Sequence, residues 1–151
     1  MRRKSFENSA CTIARALDVI GDWWSLLIVR DAMGGVRRFN EFQRSLDIPK
    51  NILTNRLKAL VEHEILELAP AADGSAYQEY VLTDRGRALM PVIVALSQWG
   101  SQFLFGTGEQ ESAPVDMKAQ RPLRKIELRS HDGRALKSKD IFVPRAPVTP
   151  L

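Results

Sequence analysis

The chain has 151 residues, 44% hydrophobic and 26% charged, enough for one ordinary domain with a real core and a tail. No apolar run reaches the roughly 18 residues of a membrane-spanning helix, and the N-terminal MRRKSFENSACTIARAL lacks the long apolar core of a secretory signal. The single cysteine, Cys11, excludes an intramolecular disulfide framework and argues for a reducing compartment, the cytoplasm. A net charge of +4 says little alone, but its distribution says more. Residues 37–58 carry six basic side chains (Arg37, Arg38, Arg44, Lys50, Arg56, Lys58) against Glu41 and Asp47. Residues 1–105 as a whole nearly balance, 13 basic against 12 acidic.

In chain order, Ile13, Ala16, Leu17 and Ile20 recur at helical spacing and predict an amphipathic helix ending at Gly21. A second helix, about Asp22 to Met33, is apolar nearly all round and so is expected to be central and buried. Asp22 can cap its start and Gly34-Gly35 stop it. A short helix from about Glu41 to Leu46 follows, with Asn40 as its expected N-cap. Asp47-Ile48-Pro49 breaks the chain, and Pro49 suits the first turn of another helix running to about His63. Two short helices joined by a tight turn make a helix-turn-helix.

On the second of these helices, Leu53, Leu57 and Leu60 form the inward stripe, and Asn51, Thr54, Asn55 and Lys58 fall on the opposite side. Asn pairs bidentately with adenine, a Thr methyl touches the thymine methyl, and Lys reaches guanine or phosphate. An ordinary exposed helix face is dominated by Glu and Lys, so this amide-rich stripe points to base reading. Arg56 lies on the flank, and Arg37 and Arg38 precede the first short helix, where a phosphate clamp is useful. Asn40 and Lys50 complete the candidate DNA-contacting set.

Ile65 to Leu68 and Tyr77 to Leu82 read as strands around an Asp73-Gly74 turn, a wing-type hairpin. Thr83 then caps a long helix with Leu89, Val92, Ile93, Leu96, Trp99 and Phe103 on one face, kinked at Pro91. That apolar surface is wider than one domain covers, so this helix, with the first, is expected to form a dimer interface. GTGEQESAPVDMKAQRP reads as a linker. Lys125 to Ser130 and Ile141 to Val143 are expected to pair around Asp132-Gly133, and PRAPVTPL to be loosely held. The expected class is therefore mainly α with a small β-hairpin wing, a winged helix-turn-helix with a C-terminal β-hairpin tail. Its expected division is 1–105 for DNA binding and dimerisation, 106–122 as linker and 123–151 as extension.

Catalysis has no support in the residues. His63 and His131 stand alone, without metal-ligand spacing. Ser130-His131-Asp132 is adjacent in sequence, whereas the members of a triad converge in space. Phosphate-loop and dinucleotide fingerprints are missing. No cofactor and no metal are expected. The competing class is a winged-helix module for protein–protein contact, which the uncharged wing would suit. A third reading places a small effector between the first and last helices, among the tryptophans and Phe103.

The segments CTIARALDVIGDWWSLLIVRDAMGGVRRFNEFQRSLDIPKNILTNRLKALVEHEIL and YVLTDRGRALMPVIVALSQWG resemble the HxlR family of winged-helix regulators, relatives of the MarR group. The likeness covers about residues 11–105. It implies a homodimer on a pseudo-palindromic operator, one recognition helix per major groove, and repression or activation of transcription in the bacterial cytoplasm. In some members a cysteine at the place of Cys11 senses oxidants or electrophiles. Here Cys11 is also near a helix N-terminus, opposite the Ile13–Leu17–Ile20 stripe. Three departures stand out. The wing, Ala69 to Tyr77, holds no Lys or Arg, and Glu67 and Asp73 would repel phosphate. Trp23 replaces the family's usual Lys. The tail resembles a longer subgroup but lacks its paired cysteines, so zinc is not expected.

Overall fold

The computed structural model describes residues 5–145. Its helices are α1 (Thr12–Ile20), α2 (Trp23–Met33), α3 (Phe39–Leu46), α4 (Lys50–Glu62), α5 (Asp84–Arg87) and α6 (Met90–Leu104). Its strands are β1 (Leu66–Pro70) and β2 (Gln78–Leu82), then β3 (Leu128–Arg129) and β4 (Ala135–Leu136). The class is mainly α with two small antiparallel hairpins, a winged helix-turn-helix with a β-hairpin in its C-terminal region. The described residues pack as two compact units, one running to Leu89 and the other Met90–Pro144. The end expected to be loosely held lies, from residue 146 on, outside the described residues.

In the first unit, helix starts follow from side chains that accept otherwise unpaired N–H groups. The Asp22 carboxylate accepts from the Ser25 amide (2.9 Å) and hydroxyl (2.6 Å) and so starts α2. Ile28 and Val29 of α2 are fully buried, and α2 packs against α1, α3, α4 and β2. Trp23 departs from the expectation of an all-round buried helix. It stands in the open first turn, 74% exposed, with its ring edge-on to Trp24 at 6.4 Å.

The start of α3 corrects a second expectation. The helix begins at Phe39, and Asn40 lies exposed inside its first turn. The cap comes from Glu41, whose carboxylate reaches back to accept from the amides of Arg38 (3.0 Å) and Arg37 (3.2 Å). Those two bonds hold the Glu41 carboxyl below its usual pKa. A longer acid three residues in thus does the work assigned to Asn40. Asp47 then takes left-handed backbone (φ 49°), and Pro49, with φ −57°, stands just before α4.

Phe42 of α3 and Leu53, Leu57 and Leu60 of α4 are the centre of the core, each at most 1% exposed. Phe42 meets Tyr80 of β2 edge-to-face at 6.5 Å, which ties the helix-turn-helix to the wing. The wing pairs Leu66 with Leu82 through Pro70 with Gln78, and Gly74 (φ +76°) makes its turn. At the wing's base, the Thr83 hydroxyl donates to the Glu64 carbonyl (2.5 Å) and accepts from the Gly86 amide (3.0 Å). Gly86 packs so closely that a Cβ there would sit 2.2 Å from the Ile65 carbonyl oxygen.

The long helix expected after Thr83 is two helices. Pro91 has no N–H for the Arg87 carbonyl and its ring crowds that carbonyl, so the kink becomes a break. The ladder ends with the Ala88 amide on the Asp84 carbonyl (3.0 Å), and the Leu89 amide turns to Gly86 instead (3.1 Å). In the second unit, the Gln98 amide of α6 donates to the Arg124 carbonyl (3.0 Å) and accepts from the Ile126 amide (2.8 Å). One side chain thereby holds an extended segment as a neighbouring strand would. Between them, Val115 bridges Pro122, and Asp116 accepts from the amides of Lys118 and Ala119. The C-terminal hairpin uses Ala135–Leu136, not Ile141 to Val143, as its second strand. Its turn is closed by the Ser130 amide on Arg134 (2.9 Å) and the Gly133 amide on Ser130 (3.0 Å), so the residues next to the turn pair first. A 3-10 turn at Ser138–Asp140 then leads the chain away.

Candidate nucleic-acid interface

The buried Leu53–Leu57–Leu60 stripe fixes the rotation of α4 and so exposes Asn51, Thr54, Asn55 and Lys58 together. Among the described residues, the side chains of Asn51, Asn55 and Lys58 make no hydrogen bond or ion pair. Their donors and acceptors are available. The Thr54 hydroxyl instead donates to the Lys50 carbonyl (2.8 Å), which leaves its methyl as the group for outside contact. Lys50 and Asn40 are exposed in the first turns of α4 and α3.

The arginines are placed otherwise. Arg56 turns from the exposed stripe toward the α2 cap, with Nη1 at 3.4 Å from the Asp22 carboxylate. Its Nε is buried and, among the described residues, has no hydrogen-bond partner. Arg38 reaches across to the wing, where Nη2 donates to Asp73 (2.6 Å) and lies 3.5 Å from the Ser75 hydroxyl and 3.8 Å from Glu79. Its guanidinium also stands over the Tyr77 ring, 5.7 Å from the centroid. Arg37 pairs with the other oxygen of Glu79 at 3.5 Å, and its carbonyl accepts from the Tyr80 amide (2.8 Å). Glu79 is only 6% exposed, so the two arginines balance a buried carboxylate. Asp73 has its pKa lowered to about 2, first by the Ser75 amide and hydroxyl and then by Arg38. The Arg38 pKa is raised by the same contact with Asp73.

Sequence reasoning missed this junction. Asp73 stands out in the sequence only as a charge hostile to phosphate and Glu79 not at all, and no periodicity links them to Arg37 and Arg38, 35 or more residues earlier. The one usable signal was a mismatch, an acidic wing beside a basic helix-turn-helix. Cys11 lies at the start of α1, not on the exposed α4 face. It is the N-cap of α1, half-buried, and its Sγ accepts from the Ala14 amide at 3.4 Å. Among the described residues no group of three or more His, Cys, Asp or Glu is placed to hold a metal ion. Nor is any helix there long and apolar enough to cross a membrane.

The family model of HxlR-like helix-turn-helix proteins matches residues 19–107, from the end of α1 past α6. The chain belongs to this family. An uncharacterised HTH-type transcriptional regulator of Mycobacterium tuberculosis is 43% identical over 107 residues, which cover 71% of this chain and 66% of that relative, just under two thirds of its length. The crystal structure of PA1607, a candidate transcription factor, superposes with a TM-score of 0.87 at 47% identity, covering 94% of this chain and 99% of that one. The redox regulator HypR in its oxidised form matches with a TM-score of 0.55 at 32% identity, over 61% of this chain and 96% of its own. The HxlR-like chain is thus a helix-turn-helix protein of the transcription-regulator type, and no enzymatic family is indicated.

Proposed function

We propose that this chain is a sequence-specific DNA-binding regulator of transcription that acts in the cytoplasm as a homodimer on a pseudo-palindromic operator. The observation that carries the reading is the outer face of α4, where Asn51, Thr54, Asn55 and Lys58 are exposed with their amides and ammonium unpaired among the described residues. In the dimer, two copies of α4 enter successive major grooves about 34 Å apart. Asn51, Thr54, Asn55 and Lys58 choose the sequence. Asn40, Lys50, Arg37, Arg38 and Arg56 are the backbone-contacting set, the arginines being the ones that must first loosen internal pairs. Residues 1–105 form the binding and dimerisation domain, 106–122 connect, and 123–151 extend it.

The dimer is supported by an apolar stripe on α6, where Val92, Leu96, Trp99 and Phe103 share a face and the last two are 58% and 61% exposed. On α1, Ile13 is likewise exposed. Apolar surface of this kind on a folded unit marks a partner. The signal is oxidation or electrophile attack at Cys11. Its thiol caps α1, so an adduct removes the cap, and HypR, a structural neighbour, is a redox regulator. The acidic wing favours one second reading, a winged-helix module for protein contact without DNA.

Mobility shift on DNA upstream of the chain's own gene and its neighbours, at several salt concentrations, decides between them. A regulator prefers particular fragments, and its affinity falls steeply with salt because phosphate contacts release counterions. A protein-contact module prefers none. Repeating the shift after oxidation, with a Cys11→Ser variant, tests the signal. Oxidation is expected to weaken binding of the wild type and leave the variant unchanged.

A further inference from the structure

The contact between Arg38 and Asp73 carries a consequence for the strength of DNA binding. Arg38 stands at the edge of a groove of about 490 Å³ between the first turn of α3 and the wing. Asn40, Arg44, Tyr77 and Gln78, whose side chains carry hydrogen-bond donors, line the same groove with Phe39 and with Glu41, whose carboxylate is already engaged by the amides of Arg37 and Arg38. A phosphodiester is the chemistry such a donor set fits, yet its nearest cation already holds an anion. Arg38 engages Asp73 through one nitrogen only, at 2.6 Å, and the aspartate is more than half exposed. A single-pronged, solvated pair of this kind is the exchangeable sort. The other anion nearby, Glu79, is buried and shared with Arg37, so it stays where it is.

We infer that Asp73 is an internal stand-in for a DNA phosphate, which occupies Arg38 in the free protein and limits affinity for all DNA. The inference rests on the DNA-binding reading. In wild type, an Arg38–phosphate contact forms only by giving up Asp73, and the released carboxylate then faces the DNA backbone. The counterion released by the phosphate is offset by the cation that Asp73 attracts, so the contact adds little to the salt dependence. With the aspartate's charge removed, Arg38 keeps only its 3.8 Å approach to Glu79, which Arg37 also neutralises, and the same contact carries more of its salt dependence.

The test is Asp73→Asn, with Asp73→Ser as a second variant. Both keep an oxygen able to accept from the Ser75 amide, which Asp73 now holds at 3.0 Å, and so spare the turn. Anisotropy titrations use the duplex upstream of the chain's own gene and a 30-base-pair duplex of random sequence, from roughly 50 to 200 mM salt. Affinity for both duplexes is expected to rise about three- to tenfold at the low-salt end, with the log–log salt slope steeper by about 0.9 per protomer. In an Arg38→Ala background the same change is expected to do nothing, which separates competition for Arg38 from general repulsion. Unchanged or weaker binding by both variants overturns the inference, as does a gain that survives in the Arg38→Ala background. Wild-type protein that binds neither duplex in a salt-dependent way overturns the DNA-binding reading itself, and this inference with it.

Discussion

The outer face of α4 and the seam between α3 and the wing carry the same kinds of residue in different states. On α4, Asn51, Asn55 and Lys58 stand exposed without internal partners among the described residues. At the seam, Arg37 and Arg38 are each tied to a carboxylate, and Arg56, deeper in α4, is tied to Asp22. An amide or ammonium opposite a leucine stripe has no neighbouring side chain to bond and is left to solvent or a partner, while the shorter Thr54 hydroxyl turns back to the Lys50 carbonyl. A long guanidinium sweeps a wide volume and settles on the nearest carboxylate. The amides and ammonium of the α4 face are unpaired among the described residues, whereas each of these arginines already has a carboxylate partner.

The largest expected effect removes what both regions share. Leu57→Ala empties a fully buried site under α4 and should cost about 2–5 kcal/mol, read by urea denaturation. Loss of DNA binding without that loss of stability would mean that the leucine stripe is not the support of the α4 face.

Asn55→Ala tests the open region. It should remove about 1–3 kcal/mol of discrimination at one base pair while leaving affinity for random DNA nearly intact. Arg38→Ala tests the occupied one and should weaken binding to operator and random DNA alike. Uniform loss in both variants would erase the division. Thr83→Ala lies outside both and should cost about 1 kcal/mol of stability through the lost cap, with no change in specificity.

The smallest expected effect concerns pH. The folded pKa of Asp73 lies at about 2, below its ordinary 3.8, so what its charge contributes is complete above the ordinary value and is lost as pH falls through the folded one. Between pH 5 and 8 the Arg38–Asp73 contact should therefore hold constant, and the ratio of Asp73→Asn to wild-type affinity should be flat. A slope in that ratio over this range would show that another group titrates at the seam.

Local patterns settled most of the helical framework. The leucine spacing of α4, the Asp22 and Thr83 caps and the Asp73-Gly74 turn are properties of a few neighbouring residues, and each stands where the pattern put it. The misses share one cause, a choice between local options. Asn40 and Glu41 both could cap α3, and the carboxylate that reached two amides prevailed. Pro91 could kink or break its helix, and the chain broke where the Leu89 amide found Gly86. The second strand of the C-terminal hairpin was set by the turn's own bonds rather than by the β-branched Ile141 and Val143.

By itself, then, the sequence determined most of the helical elements, the buried leucine face of α4 and the residues offered opposite it, because helical periodicity and capping act over four or five residues. Only the tertiary structure decided which charges are free. Whether Arg38 faces solvent or Asp73 depends on where a hairpin 35 residues later brings its tip, and Coulomb attraction follows distance in space, to which sequence separation is no guide.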